Sequence, residues 1–244
     1  NYPNEISLLG DAKTTLQQIL KENLTKLKID DWREKSTNIV NEWKAELNKL
    51  RDSDSKPIRP ERLMKELSEV IPEDSIVASD TGHTAMWTVQ NLWMNKKWNF
   101  IRCAGSLGWG FPAAIGAKCA FPDKNVFCLT GDGGLWYHFT ELETAVRSDI
   151  PTITIVNNNN ALNQEYDIFM NAYDGKPSNR WTEMWYFNKV SFAELANNMG
   201  AFGIRVTDPV DIKEAVKEAM KSKKPSIVEI DGDVNALAPT AWSK

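Results

Sequence analysis

The sequence predicts an α/β protein built on a parallel sheet with helices on both faces. Three observations carry this. Five short apolar runs recur along the chain: 75–79 (SIVAS), 126–129, 152–156, 202–206 and 226–230. Helical segments lie between them, at about 83–94, 111–120, 138–147, 191–199 and 209–222. The two kinds of segment alternate along the chain, the order of a parallel sheet covered on both faces.

Residues 1–29 read as a strand end followed by a helix. Asp11 is a candidate N-cap, and Leu16, Ile19, Leu20, Leu24 and Leu27 recur at helical spacing. One helix with a strand stub cannot bury a core alone. This segment therefore reads as the C-terminal remnant of a further domain, and the start at Asn1 as a cut in a longer polypeptide. Residues 30–56 read as a charged connecting helix with Trp32, Ile39, Trp43 and Leu47 on one face, ending in the linker-like RDSDSKP. Its tryptophan face is expected to dock on a neighbouring domain.

The third segment is 57–244. Its first helix spans 60–70, with Pro60 early and Pro72 as a stop signal. The roughly 185 residues from Pro57 onward suit one domain.

Composition narrows the function. Hydrophobic residues make up 42% and charged residues 25% of the 244, as in an ordinary globular protein. Mean hydropathy is -0.43, and no apolar run approaches the ~20 residues of a membrane span. A net charge of -4 gives no basic footprint for nucleic acid. Cys103, Cys119 and Cys128 form no CxxC pair and read as reduced, buried thiols of a cytoplasmic protein. With only His83 and His138, a multi-histidine metal site is excluded.

Chemistry concentrates in Gly131-Asp132-Gly133-Gly134 and in the run Asn157–Asn160, each after an expected strand. In a parallel sheet both fall at carboxyl ends of strands, where α/β proteins bind ligands. The glycines let backbone N–H groups approach a phosphate, and a helix starting near Leu135 would add its positive end. Asp132 and an Asn carboxamide offer the hard oxygens that Mg²⁺ takes alongside phosphate and water. Either motif alone is more often a turn or a loop. Together, with a βαβ unit between them, they read as a diphosphate–Mg²⁺ cradle.

Asn159 follows Asp132 by 27 positions. This GDG…NN spacing resembles the fingerprint of thiamine diphosphate enzymes. Glu141-Leu142, Thr144-Ala145-Val146-Arg147 and Pro151 look like acetolactate synthase and its relatives. So do the Gly-rich stretch Gly105–Ala117 and the segment Asp80–Trp87. The resemblance covers about residue 57 to the C-terminus, as the family's diphosphate-binding domain, with 1–29 as the end of its central domain.

The resemblance implies that Asp132 and Asn159 give side-chain oxygens to Mg²⁺ and Ala161 its backbone carbonyl. It implies diphosphate contacts from Gly131, Gly133, Gly134, His83 and Thr84. It implies further cofactor contacts from Gly105, Ser106 and Leu107, the last as the bulky side chain that holds the cofactor bent. Leu162 and Asn163 follow in the same cofactor loop. The full enzyme would decarboxylate a small 2-oxo acid and pass the carbanion to an acceptor. It would be a homodimer or homotetramer, with room for FAD on the central domain.

Two departures matter. The family's activating glutamate comes from a pyrimidine-binding domain of a second subunit, and no such domain fits here. No catalytic residue is therefore expected in this chain, which alone should be inactive. After the Asn run, Gln164 and Glu165 replace the family's usual text, and Ile168 stands where relatives place a Trp. A wider, more polar pocket entrance follows. The alternatives are a simple 2-oxoacid or oxalyl-CoA-type decarboxylase, or a non-catalytic cofactor-binding module. The cluster Trp181–Phe187 (WTEMWYF) would line a substrate channel or a domain contact.

Overall fold

The computed structural model describes residues 3–22 and 29–238. The chain divides into two compact units, Asn1–Lys44 and Ala45–Lys244.

In the first unit, α1 spans Ala12–Lys21. Asp11 caps it as expected, accepting from the Thr14 backbone N–H at 2.9 Å. The expected strand stub is absent: residues 3–10 form no strand. Leu16 and Leu20 are exposed, while Leu24 and Leu27 lie outside the described residues. None of the described residues of this unit is buried. Its apolar stripe therefore has no core of its own. Helix α2 spans Asp30–Arg51, and its buried residues are Leu47 and Arg51, both in the second unit.

The second unit is the expected parallel α/β domain. Helix α3 (Pro60–Val70) starts on Pro60 and stops before Pro72. Next come β1 (Ile76–Ser79), α4 (His83–Asn91), β2 (Asn99–Arg102), α5 (Gly110–Ala120) and β3 (Val126–Gly131). Then follow α6 (Asp132–His138), α7 (Glu141–Arg147), β4 (Ile153–Asn158), α8 (Glu165–Ala172), α9 (Phe192–Asn198), β5 (Phe202–Val206), α10 (Ile212–Ser222) and β6 (Ser226–Asp231). The six strands are all parallel, in the order β2-β1-β3-β4-β6-β5.

Side chains alternate across the sheet with the two-residue period of a strand. Val77, Phe127, Leu129, Ile155 and Val228 face one core, with Leu63, Leu67, Trp87, Ile212 and Val216 from the helices over it. Ala78, Val126, Cys128, Val156 and Ile227 face the other, with Phe111, Leu135, Leu142 and Phe192. Helix α10 buries Ile212, Ala215, Val216 and Ala219, a single stripe at i, i+3, i+4 and i+7.

Several expectations change. Strand β2 was not foreseen: it is an exposed edge, paired only to β1, and has no apolar run to announce it. The helix after the Gly-Asp-Gly-Gly turn opens at Asp132 itself rather than near Leu135. Only Cys128 is a buried thiol; Cys103 is half-buried and Cys119 exposed, and all three are free. Among the described residues no helix is long and apolar enough to cross a membrane.

From β1 the chain crosses outward to β2, then returns to place β3 on the other side of β1. The carboxyl ends of β1 and β3 therefore flank a topological switch point. The two outgoing loops diverge there and leave a crevice.

Candidate active site

The crevice is an open cleft at the place where α/β proteins bind ligands. It is lined from three loops. After β1 come Thr81, Gly82, His83 and Thr84. After β3 come Gly131, Asp132, Gly133 and Gly134. After β4 come Asn157, Asn159, Ala161, Leu162, Asn163, Gln164 and Glu165. Leu107, Trp87 and Ala236 complete it. Eleven of the thirteen residues expected at the site thus line one cleft, although they span 81 sequence positions (163 − 83 + 1). Gly105 and Ser106 do not line it; both are exposed in the segment that leads to Leu107.

Asp132 is the centre of the arrangement. Its Oδ1 accepts from the Gly133 N–H at 2.8 Å and its Oδ2 from the Ala161 N–H at 2.9 Å. Asn159 Oδ1 accepts from that same Ala161 N–H at 3.2 Å. One backbone donor thus draws the carboxylate and the carboxamide oxygen together. Ala161 also pairs antiparallel with Tyr186. The bonds of that pair run from Leu162 N–H to Trp185 O and from Phe187 N–H to Asn160 O. The N–H and carbonyl of Ala161 therefore both face away from Tyr186, towards Asp132. Three hard oxygens, one charged and two neutral, share one side of the cleft.

Burial raises the Asp132 pKa from 3.8 to about 7, against the opposing pull of backbone N–H groups from Gly133, Ala161 and Asn160. A carboxylate kept this dry without a cation is costly, and a bound cation would reverse the sign. No group of three or more His, Cys, Asp or Glu side chains able to hold a metal occurs among the described residues. A cation here would rely on one carboxylate, neutral protein oxygens and oxygens of a ligand.

The glycines are close-packed. A Cβ on Gly134 would sit 2.4 Å from Asp80 Oδ2 and 2.8 Å from Thr130 Oγ1. One on Gly133 would meet Leu162 Cδ2 at 2.5 Å. Asp80 ties the loops together: its Oδ2 accepts from Thr130 Oγ1 at 2.9 Å and its Oδ1 from the Gly108 N–H at 3.0 Å. This fixes the turn after Leu107, where Gly108 has φ +91.

Three residues that line the cleft carry a buried side-chain atom without a partner: His83 Nδ1, Asn157 Oδ1 and Asn163 Oδ1. Burial lowers the His83 pKa, opposed by the charge of Asp167, so the imidazole favours its neutral form. Asn157 was part of the expected Asn run but had no assigned role. Its Oδ1 packs against Gly232, where an added Cβ would come within 2.2 Å of it.

The tryptophan cluster does not line the cleft. Trp185 is buried, with ring centroids of Tyr166, Trp181 and Tyr186 within 6 Å. Its backbone carbonyl holds Leu162 N–H at 2.8 Å. The cluster buttresses the loop carrying Ala161. Trp136 instead packs against Phe139 and Phe192.

Residues 80–230 match the family model "Thiamine pyrophosphate enzyme, C-terminal TPP binding domain"; thiamine pyrophosphate is another name for thiamine diphosphate. The chain is 34% identical over 241 residues to a "Probable acetolactate synthase large subunit" of Methanocaldococcus jannaschii, covering 94% of this chain and 39% of that protein. It is 30% identical over 243 residues to the acetolactate synthase large subunit of Haemophilus influenzae, covering 96% and 41%. It is 28% identical over 226 residues to the acetolactate synthase isozyme 3 large subunit of Escherichia coli, covering 89% and 38%. The chain thus spans about two-fifths of the length of these curated relatives. With the family model matching more than half of it, over the strands and loops that build the cleft, this chain belongs to the thiamine pyrophosphate enzymes and contains their C-terminal cofactor-binding domain.

Proposed function

We propose that this chain is the diphosphate-binding part of an acetolactate synthase-like enzyme, which decarboxylates a small 2-oxo acid and transfers the carbanion to an acceptor. The observation that carries the reading is the convergence of Asp132, Asn159 and Ala161 oxygens at the switch-point cleft, beside the Gly133–Gly134 backbone. This donor set suits Mg²⁺ completed by two diphosphate oxygens and a water. The relatives named as acetolactate synthases support the reaction class.

In this reading thiamine diphosphate supplies the electron sink for decarboxylation. The protein's part is binding and orientation. Asp132 would offset one of the metal's two charges, the Gly131, Gly133 and Gly134 backbone would face the diphosphate, and His83 and Thr84 would contact it from the β1 side. Leu107, held by the Asp80–Gly108 bond, sets the bend of the cofactor. Activation needs a glutamate from the pyrimidine-binding domain of a second subunit, so the site is complete only in a homo-oligomer. FAD on a central domain and residence in the cytoplasm belong to the same proposal.

One observation favours a second reading. Glu165 and Gln164 line the cleft, and a carboxyl group at its mouth could return a proton to the carbanion. The product would then be an aldehyde, as in a simple decarboxylase. Calorimetry with thiamine diphosphate, with and without Mg²⁺, tests the cofactor site. CO₂ release from pyruvate by the intact protein, with analysis of the product, separates the readings: a hydroxy-keto acid supports carboligation and acetaldehyde the alternative. Tight cofactor binding indifferent to chelator would refute the metal assignment, and an intact protein without turnover would leave a binding module.

A further inference from the structure

Glu229 lies on β6 and is 1% exposed. It is a buried carboxylate to which neither the family motif nor the proposed chemistry gives a role. Its partners are well defined. Oε2 accepts from Ser191 Oγ at 2.9 Å and from the Ala193 N–H at 2.9 Å, which anchors it to the start of α9. Oε1 accepts from Asn158 Nδ2 at 2.8 Å. Arg205 approaches within 3.8 Å from β5 and offsets the charge.

Asn158 is the last residue of β4, 4% exposed, one position before Asn159. A carboxylate only accepts, so Asn158 must turn its NH₂ towards Glu229. A second bond from Nδ2, to Val190 O at 3.1 Å, holds the same orientation. That leaves Oδ1 facing the other way, where it accepts from the Asn160 N–H at 3.2 Å. Asn160 has φ +56, a left-handed conformation that needs support in a residue with a Cβ. This turn at Asn160 sends the chain back so that the Ala161 N–H meets Asp132 and Asn159. Buried carboxylate, Asn158 amide and left-handed turn form one chain of contacts that ends at the three converging oxygens.

We propose that Glu229 is a positioning residue for the metal site: through the fixed Asn158 amide it holds the 159–161 turn in the shape that brings the Asp132, Asn159 and Ala161 oxygens together. The inference rests on the functional reading above. Glu229 touches neither cofactor nor substrate. In Glu229→Gln the side chain can present either an oxygen or an NH₂ to Asn158, so the bond to Val190 O alone is left to orient the amide. Asn158→Ala keeps Glu229 bonded to Ser191 and Ala193 and releases only the turn. Ser191→Ala loosens the α9 side of Glu229 and leaves the Asn158 side intact.

The experiment is a Mg²⁺ titration of thiamine diphosphate binding to the intact protein, read by calorimetry, with the melting temperature of each cofactor-free variant measured alongside. E229Q and N158A are expected to raise the Mg²⁺ half-saturation by about ten-fold to a hundred-fold, the range found for partners behind metal ligands. The double variant E229Q/N158A is expected to match N158A alone, because both act through one bond. S191A is expected to stay within about two-fold of the parent, even where its melting temperature falls. A structural role alone would make Mg²⁺ affinity follow the melting temperature across all variants, and that result overturns the proposal. So does a parental half-saturation in N158A, which settles the matter even should E229Q fail to fold. If the parent protein itself binds cofactor without Mg²⁺, the metal reading and this inference fall together. Mg²⁺ dependence in the parent with indifferent variants removes only the role of Glu229.

Discussion

Asp132→Asn offers a pH-dependent test of the burial argument, made with chelator present. In the folded chain the Asp132 pKa is raised from 3.8 to about 7, chiefly by burial. The folded state thus holds the proton more tightly than the unfolded one. The associated stability is complete below about pH 4 and is lost as pH rises through about 7. A shift of about 3 pKa units corresponds to roughly 4 kcal/mol. Asn removes this penalty but leaves the Ala161 N–H facing an NH₂, at a cost of about 1–3 kcal/mol that does not vary with pH. From pH 4.5 to 8.5 the variant should gain stability relative to the parent, by roughly 3 kcal/mol. Near pH 8 the two effects oppose, burial is the larger, and the variant should equal or exceed the parent. Urea unfolding of both proteins between pH 4.5 and 8.5 measures the difference, and the pH dependence of all other groups cancels. With Mg²⁺ and thiamine diphosphate the order at pH 8 should invert, because only the parent binds the metal. A stability difference that stays flat across this range would refute the buried-carboxylate account.

Other outcomes follow from the same geometry. Gly134→Ala forces a Cβ to 2.4 Å from Asp80 Oδ2, so thermal unfolding should show a loss of about 1–3 kcal/mol from overpacking. Gly116→Ala, where a Cβ meets nothing within 4 Å, should be neutral or slightly stabilising in its helix. The His83 ring, lowered below 6.5 by burial, should be less protonated at pH 6.5 than a free imidazole by NMR, and its burial should destabilise the fold as pH falls through that value. Leu107→Ala should leave Mg²⁺-dependent cofactor affinity within a few-fold by calorimetry while sharply lowering turnover of the intact enzyme. Equal losses of both would mean that Leu107 only packs. Trp185→Ala should cost about 3–5 kcal/mol and also weaken Mg²⁺-dependent binding, since Trp185 supports the loop through Leu162.

Local signals made much of this legible. Apolar runs of four or five residues marked five of the six strands: the four interior ones, apolar on both sides, and edge strand β5, which alternates Phe202, Ile204 and Val206. Edge strand β2 escaped, since Asn99 and Arg102 are exposed and only Phe100 and Ile101 are even half-buried. Helix α8 also escaped: it is short and buries no residue, its Tyr166, Phe169 and Met170 being only half-buried. Asp11 and Pro60 declared their helix starts through backbone chemistry that acts within three or four residues.

The sequence by itself determined the candidate site: Asp132 between glycines, Asn159 27 positions on, and two strands to place both at one end of a parallel sheet. Only the tertiary structure decided what those groups do to one another. That Asp132 and Asn159 share the Ala161 N–H depends on how the turn at Asn160 closes. That Asp80 fixes Leu107, or that Trp185 supports rather than lines the cleft, depends on loops from separate strands meeting. Glu229 lies 70 positions beyond Asn159, and nothing local marks it off from any other acidic residue in a strand. Its role arises because β6 pairs with β4, setting Asp231 beside Asn158 and bringing the Glu229 carboxylate within 2.8 Å of the Asn158 amide. Burial, hydrogen-bond direction and pKa are properties of that assembled neighbourhood, and a chain read one residue at a time does not contain them.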